Sequence, residues 1–171
     1  SNYTFSGATT YNLEVWAENP NGVADCNAYN DTSSLGDLVV SLCGTYTLGG
    51  SNPDFTSFSE LATVLNSAGV SCPVTINVRD GVYEDQFIIG DILGNSFTNT
   101  LTIQGESGDS SVAGLHYQNS NPSNDFTLSL VGTHNVFIND LTIARTNGND
   151  AMLIQGGAHD ITVTNSYFKG D

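Results

Sequence analysis

Arg145 is the residue whose type and surroundings come nearest to those of a catalytic base. It follows the segment Leu141-Thr142-Ile143 and lies close in sequence to Asp140 and Asp150. A base beside calcium-binding carboxylates is the arrangement that a calcium-assisted elimination requires. A surface arginine paired with neighbouring carboxylates gives the same sequence pattern. We therefore interpret Arg145 as a surface residue paired with Asp140 and Asp150.

His159 and Asp160 are the second pair that could carry acid–base chemistry. Clustered carboxylates with a nearby histidine can serve as acid and base in glycoside hydrolysis. His134 occupies the equivalent position to His159 in a sequence repeat, however, and we interpret both histidines as turn residues that the repeats share. His116 stands alone in the sequence and gives no signal. No catalytic residue is assigned.

Three aspartates near the start of the chain, Asp25, Asp31 and Asp37, are weak calcium candidates together with backbone carbonyl groups. They do not follow the ligand spacing of an EF-hand loop. The alternative is that Asn30-Asp31 makes side-chain turns. We expect no metal site and no cofactor, with calcium as the weaker alternative.

The three cysteines are Cys26, Cys43 and Cys72, and their spacing matches no zinc-binding pattern. Cys43 and Cys72 flank the one helix candidate, so a disulfide between them would fix that helix over the start of the following β-structure. Cys26 would then be unpaired or paired outside the chain.

The charge of the chain limits its partners. Eighteen acidic residues against three basic ones give a formal net charge of −15. That field excludes nucleic acid and anionic membrane surfaces.

No segment approaches the roughly 18 consecutive apolar residues of a membrane-spanning helix, so no membrane insertion is expected. Polar composition with little lysine suits a secreted or cell-surface protein. The start lacks a signal-peptide pattern, and we expect the chain to be cut at both ends.

A repeat in the last third predicts the fold. The segment that begins at His134 returns 25 positions later at His159, with apolar residues at matching positions. Leu101, Phe126 and Met152 begin apolar segments at similar intervals, 25 and 26 residues apart. A period in the twenties with strand-like alternation is typical of stacked β-coils. The sequence therefore predicts an all-β protein with a right-handed parallel β-helix over residues 73–171.

A capping helix and linker are predicted over residues 43–72. Ser57 and Glu60 form a capping box, and Phe58 with Leu61 begins an apolar helical face. Such a helix, near residues 57–68, would cover the open end of the β-helix. Residues 1–42 contain alternating strands and an Asn-rich turn, and resemble the end of bacterial Ig-like domains of the cell-adhesion type. The resemblance implies that they are the C-terminal part of an Ig-like β-sandwich.

A second resemblance rests on the cap helix, the strand Val74–Val78, the turn from Asp80 to Asp85, and Leu101-Thr102-Ile103-Gln104-Gly105. These segments resemble the opening of pectinesterase-type right-handed β-helices. Combined with the Ig-like tail and the segment 44–50, they are similar to modules of very large surface proteins of Bacteroidetes exported by the type nine secretion route. A pectinesterase-like site needs two Asp, a Gln and an Arg, and no matching motif is present.

The resemblance implies a structural or adhesive module of a large extracellular protein. It would serve as a rigid shaft or a binding surface for neighbours, cells or polysaccharide, and it would not be an enzyme. Its expected partners are other domains or copies of the same protein, in a surface assembly, and cell-surface glycans. The alternative is the N-terminal part of a β-helix carbohydrate-active enzyme, pectinesterase- or lyase-like, with catalytic coils beyond residue 171. A carbohydrate-binding module without chemistry is the third interpretation.

Overall fold

The computed structural model describes residues 10–17, 22, 32–118, 125–148 and 150–170. The chain divides into two compact units, residues 1–40 and residues 41–171. In the first unit, β1 (Thr10–Trp16) pairs antiparallel with β2 (Thr32–Val39). The Ig-like assignment of this unit stays a prediction.

The second unit is a parallel β-helix, as the repeat predicts. Its helix is α1 (Phe58–Ala68). Its strands, in chain order, are β3 (Leu42–Leu48), β4 (Val70–Val78), β5 (Gly81–Glu84), β6 (Phe87–Ile89), β7 (Leu101–Gly105), β8 (Ala113–Gln118), β9 (Phe126–Val131), β10 (His134–Asn139), β11 (Thr142–Thr146), β12 (Asp150–Gln155), β13 (His159–Thr164) and β14 (Tyr167–Lys169). Sheet 1 consists of β3, β4, β7, β10 and β13, sheet 2 of β5, β8, β11 and β14, and sheet 3 of β6, β9 and β12.

The strand register confirms part of the predicted repeat and corrects the rest. His134 pairs with His159 and Val136 with Ile161, which is the 25-residue spacing. Leu101, however, lies in sheet 1 and pairs with Val136, whereas Phe126 lies in sheet 3. The three successive sheet 1 spacings are 27, 35 and 25 residues, counted from Val74 through Leu101 and Val136 to Ile161. The predicted alignment of Leu101 with Phe126 is therefore wrong, because loops between strands vary the coil length.

The helix α1 begins and ends as its sequence signals predict. The Ser57 hydroxyl accepts the amide of Glu60 at 3.1 Å, but the Glu60 carboxylate reaches back to the amide of Thr56 at 2.7 Å. Gly69 ends the helix at φ 67°, where an added Cβ would meet the Leu93 carbonyl at 2.1 Å. The apolar face is buried and consists of Phe58, Leu61, Ala62, Leu65 and Ala68. In the described part of the chain no helix is long and apolar enough to cross a membrane.

Cys43 and Cys72 are joined by a disulfide, with their Cα atoms 4.8 Å apart. The two residues lie on β3 and β4, which pair in parallel, and the register shifts between Leu42 and Gly44 at this point. The bridge closes the segment that contains α1, so it ties the helix to the first two strands of sheet 1. Cys26 lies outside the described residues.

Candidate functional site

The outer face of sheet 1 carries two continuous rows of side chains. In β4, β7 and β10 the residues of these rows alternate with buried Val, Leu and Ile, so one face of each strand packs inside and the other faces outward. We call these rows the sheet 1 ladder. In register across the five strands, one row is Thr45, Thr75, Thr102, Phe137 and Thr162, and the other is Thr47, Asn77, Gln104, Asn139 and Thr164.

Hydrogen bonds within the ladder orient its amide groups. Gln104 Nε2 donates to Asn77 Oδ1 at 3.0 Å, across neighbouring coils. Thr164 Oγ1 donates to Asn139 Oδ1 at 2.6 Å, one coil further along. Each of these bonds uses only part of the hydrogen-bonding capacity of its amide. The ladder therefore presents fixed donors and acceptors at the spacing of the strands, about 4.8 Å.

The ladder is uncharged, in a chain with 18 acidic residues and a net charge of −15. Its ten members are hydroxyl and amide residues and a single aromatic residue, the half-buried Phe137. Hydroxyl and amide groups beside an aromatic ring can bind a polymer that is rich in hydroxyl groups, through hydrogen bonds and ring contact. An extended ligand could lie across the strands, along the stacking direction.

Arg145 is not a surface residue, contrary to the sequence interpretation. Its side chain is 0% exposed, and its Nη2 atom lies 3.2 Å from Asp125 Oδ1. Its guanidinium also lies over the ring of Tyr117, 5.0 Å from the centroid. The pairing with Asp140 and Asp150 is wrong because Arg145 points into the β-helix, where a charged group needs a partner.

The two repeat histidines lie side by side at the start of β10 and β13. Their ring centroids are 5.0 Å apart, and the residues that follow them, Asn135 and Asp160, have φ of 50° and 51°. Asp140, after β10, has a φ of 55°. His159 Nε2 is 3.8 Å from Asp160 Oδ2, and both side chains are more than half exposed. Both histidines thus lie at equivalent positions within strands, each followed by a residue with left-handed backbone, and no enclosed acid–base pair is formed there.

Of the three aspartates that are weak calcium candidates, Asp37 alone lies in the described residues. Asp37 lies on β2 with a φ of 55°, and its amide donates to Asn12 Oδ1 at 3.2 Å. Asp25 and Asp31 lie outside the described residues. Within the described ranges no group of three or more His, Cys, Asp or Glu side chains could hold a metal ion.

His116 is the site residue that sequence reasoning missed. It lies on the outer face of sheet 2 and contacts Glu84 and Thr146, which are 32 and 30 positions away in the chain. Neither spacing equals the 25-residue repeat, so periodicity gives no means of finding this group. Only the strand register brings the three side chains together.

Comparison with solved structures shows what this fold is similar to. Two crystal structures of the pectin methylesterase from Aspergillus niger, in penultimately deglycosylated and in deglycosylated form, match with TM-scores of 0.51 and 0.50. The sequence identities are 18% and 16%, and each match covers 77% of this chain and 52% of the esterase. The chain thus spans about half the length of these esterases. No family profile and no curated protein sequence matches the chain.

These matches confirm the predicted fold and correct one functional expectation. The sequence resemblance implies that the protein is not an enzyme, but both structural neighbours are esterases. The comparisons give no support to the Bacteroidetes origin, the type nine secretion route or the Ig-like tail. Residues 41–171 therefore have the right-handed β-helix fold that pectin methylesterases share.

Proposed function

We propose that the chain is the N-terminal part of a β-helix carbohydrate-active enzyme and that it binds polysaccharide along the sheet 1 ladder. The uncharged ladder is the observation that carries this proposal, because it faces outward on an otherwise strongly acidic chain. The likeness of the fold to pectin methylesterase supports a pectic substrate.

Electrostatics favours the methyl-esterified form of such a substrate. A de-esterified pectin is a polyanion, and a chain of net charge −15 repels it. Methyl esters remove that charge and leave hydroxyl and carbonyl groups that the ladder can bind. The preference for the esterified polymer should therefore weaken as salt screens the repulsion.

The cellular location and the binding partners of the protein are part of this proposal. A disulfide between Cys43 and Cys72 supports an oxidising, extracellular compartment, where secreted proteins retain such bonds. A surface protein exported by the type nine route, with neighbouring copies or glycans as partners, remains a prediction of the sequence alone. Calcium remains the weak prediction from Asp25, Asp31 and Asp37.

The test measures binding of methyl-esterified and de-esterified pectin by isothermal titration calorimetry. Gln104→Ala and Phe137→Ala should each weaken binding of the esterified polymer about fivefold, the equivalent of one net hydrogen bond or ring contact. Gln155→Ala is the matched control, since Gln155 is an exposed glutamine on sheet 3 and should leave the affinity unchanged.

Two results would contradict the proposal. Equal loss of affinity in Gln155→Ala would show that the polymer is not bound by the ladder. The second part of the proposal, that the protein is an enzyme, is tested by measuring methanol release from methyl-esterified pectin by the full-length gene product. Binding without release in that protein would leave a carbohydrate-binding module.

A further inference from the structure

The outer face of sheet 2 contains a hollow of about 270 Å³. Two small residues, Gly114 and Ala144, lie in neighbouring strands of this face, and both line the hollow. His116, Thr146 and Lys169 line it as well. The hollow is separate from the sheet 1 ladder, because it lies on a different sheet of the β-helix.

On this face, the side chains of Glu84, His116 and Thr146 form a chain of two hydrogen bonds. Glu84 Oε1 lies 2.5 Å from His116 Nδ1, and Thr146 Oγ1 lies 2.7 Å from His116 Nε2. An ionised carboxylate accepts only, so the hydrogen-bond pattern assigns the ring proton of neutral His116 to Nδ1. The lone pair of Nε2 then faces the Thr146 hydroxyl. This is the order of groups that activates a hydroxyl nucleophile.

The strands hold these three groups in place. Glu84 is directly opposite His116 in the pairing of β5 with β8. In the pairing of β8 with β11, His116 is opposite Ala144 and Gln118 is opposite Thr146. Thr146 therefore lies two residues after the partner of His116, on the same face of β11. Each group therefore comes from a different coil, on a strand paired in register. Sites built on paired strands keep their geometry better than sites built on loops.

Lys169 supplies a positive charge at the same hollow. It is one of three basic residues in the chain, and the other two, Arg79 and Arg145, are paired with Glu106 and Asp125. Across the described ranges, no carboxylate lies within ion-pair distance of Lys169. An ammonium group beside the nucleophile can stabilise negative charge that develops on a carbonyl oxygen.

We propose that this hollow binds a short-chain acyl ester, of the size of an acetyl ester, and that Thr146 is the nucleophile of a second, hydrolytic site. The Thr146 oxygen forms a bond to the acyl carbon while its proton passes to His116 Nε2. The ester C–O bond then breaks, and the leaving alcohol takes that proton. Water attacks the acyl-threonine, gives a proton to His116 and releases the carboxylic acid, and the proton returns to Thr146. Glu84 is a positioning residue that holds the imidazole in the required tautomer.

The experiment uses the whole 171-residue chain and two readouts. Hydrolysis of p-nitrophenyl acetate measures turnover. An alkyl fluorophosphonate, followed by peptide mass spectrometry, reports an activated hydroxyl. We expect the adduct on Thr146. Thr146→Val should abolish the adduct, and His116→Ala should reduce turnover about 100-fold. Glu84→Gln should lower kcat and leave KM unchanged, because Glu84 acts through His116.

Thr63→Val is the matched control, because it makes the same substitution and removes a hydroxyl that makes one hydrogen bond, 2.9 Å long, to the Ser59 carbonyl. Thr63 is exposed, whereas Thr146 is half-buried. It should keep full turnover and labelling. Circular dichroism of Thr146→Val establishes that the variant is folded. A folded wild-type chain without an adduct on Thr146, or equal turnover in Thr146→Val, would overturn the proposal. Neither result bears on pectin binding by the sheet 1 ladder, which is measured separately.

Discussion

At the scale of single residues, the ion pair of Arg145 and Asp125 places a buried charged side chain in the core. The arginine side chain is 0% exposed and the aspartate side chain is 22% exposed, so water screens the pair weakly. A Cβ on Gly148 would come within 2.3 Å of Asp125 Oδ1, so the glycine leaves room for this pair. Such a pair is costly to break, because either partner alone is a charge that water cannot fully solvate.

Arg145→Met should lower the free energy of unfolding by about 3 kcal/mol, because it removes the charged partner of a largely buried ion pair. Urea denaturation measures the loss. The double variant with Asp125→Asn should lose less than the sum of the single variants. Arg79→Met is the control. Arg79 is 29% exposed and lies 3.7 Å from Glu106, so it should cost about 1 kcal/mol. Similar losses for both arginines would contradict the prediction.

Single residues were also where sequence reasoning was least able to predict the structure. The sequence predicts that Arg145 pairs with the nearby Asp140 and Asp150, but it pairs with Asp125, which lies 20 positions away on an adjacent coil segment. His116 gave no signal because its partners lie on other coils. The bends at Asn135 and Asp160 were predictable, since Asx residues at repeated positions favour left-handed backbone. Local chemistry could thus be predicted, whereas contacts between coils depend on a register that a sequence does not show.

At the scale of elements, close contact between successive coils depends on Gly105 at the end of β7. A Cβ at this position would lie 2.3 Å from the backbone carbonyl oxygen of Asp140, in the next coil. Backbone cannot move aside as a flexible side chain can, so a larger residue must push the two coils apart. The end of β7 therefore requires glycine for packing rather than for an unusual φ.

Gly105→Ala should lower the free energy of unfolding by about 2 kcal/mol, the usual cost of overpacking a tight contact. Thermal and urea denaturation measure it. Gly90→Ala is the matched control, because the nearest atom to its added Cβ, Asn66 Oδ1, is 3.6 Å away, an ordinary contact. That variant should change stability by no more than about 0.5 kcal/mol. A tolerated Gly105→Ala would show that the coils separate more easily than their backbone contacts suggest.

Elements were predicted well where their signals are local. The capping box and the apolar face of α1 lie within a dozen residues, and the helix forms where they predict it. The 25-residue spacing of β10 and β13 also holds. The 35-residue spacing between Leu101 and Val136 was missed, because a longer loop changes the coil length without changing the stacking. Periodicity thus predicts the architecture, but it does not fix which strands pair.

At the scale of the whole molecule, the β-helix is a one-dimensional stack in which each coil contacts only its neighbours. Inner coils are covered on both sides, and Val136, Ile138 and Ile143 are at most 2% exposed. The coil of β13 and β14 pairs with β10 and β11. Phe168 pairs with Ile143 on sheet 2, yet it is 41% exposed. Stability should therefore be lower toward β13 and β14.

Hydrogen exchange followed by mass spectrometry should show this gradient in the unmodified chain. In the 171-residue chain, peptides from β7 and β8 should be the most protected and those from β13 and β14 the least, because Phe168 is 41% exposed and opening this coil breaks only the pairing with β10 and β11. Reduction of the Cys43–Cys72 bridge is the control. It releases a constraint on β3 and β4, so exchange should rise there and stay unchanged in β13 and β14. Equal protection along the stack would mean that it opens as a single cooperative unit, and the one-dimensional account of its stability would be wrong.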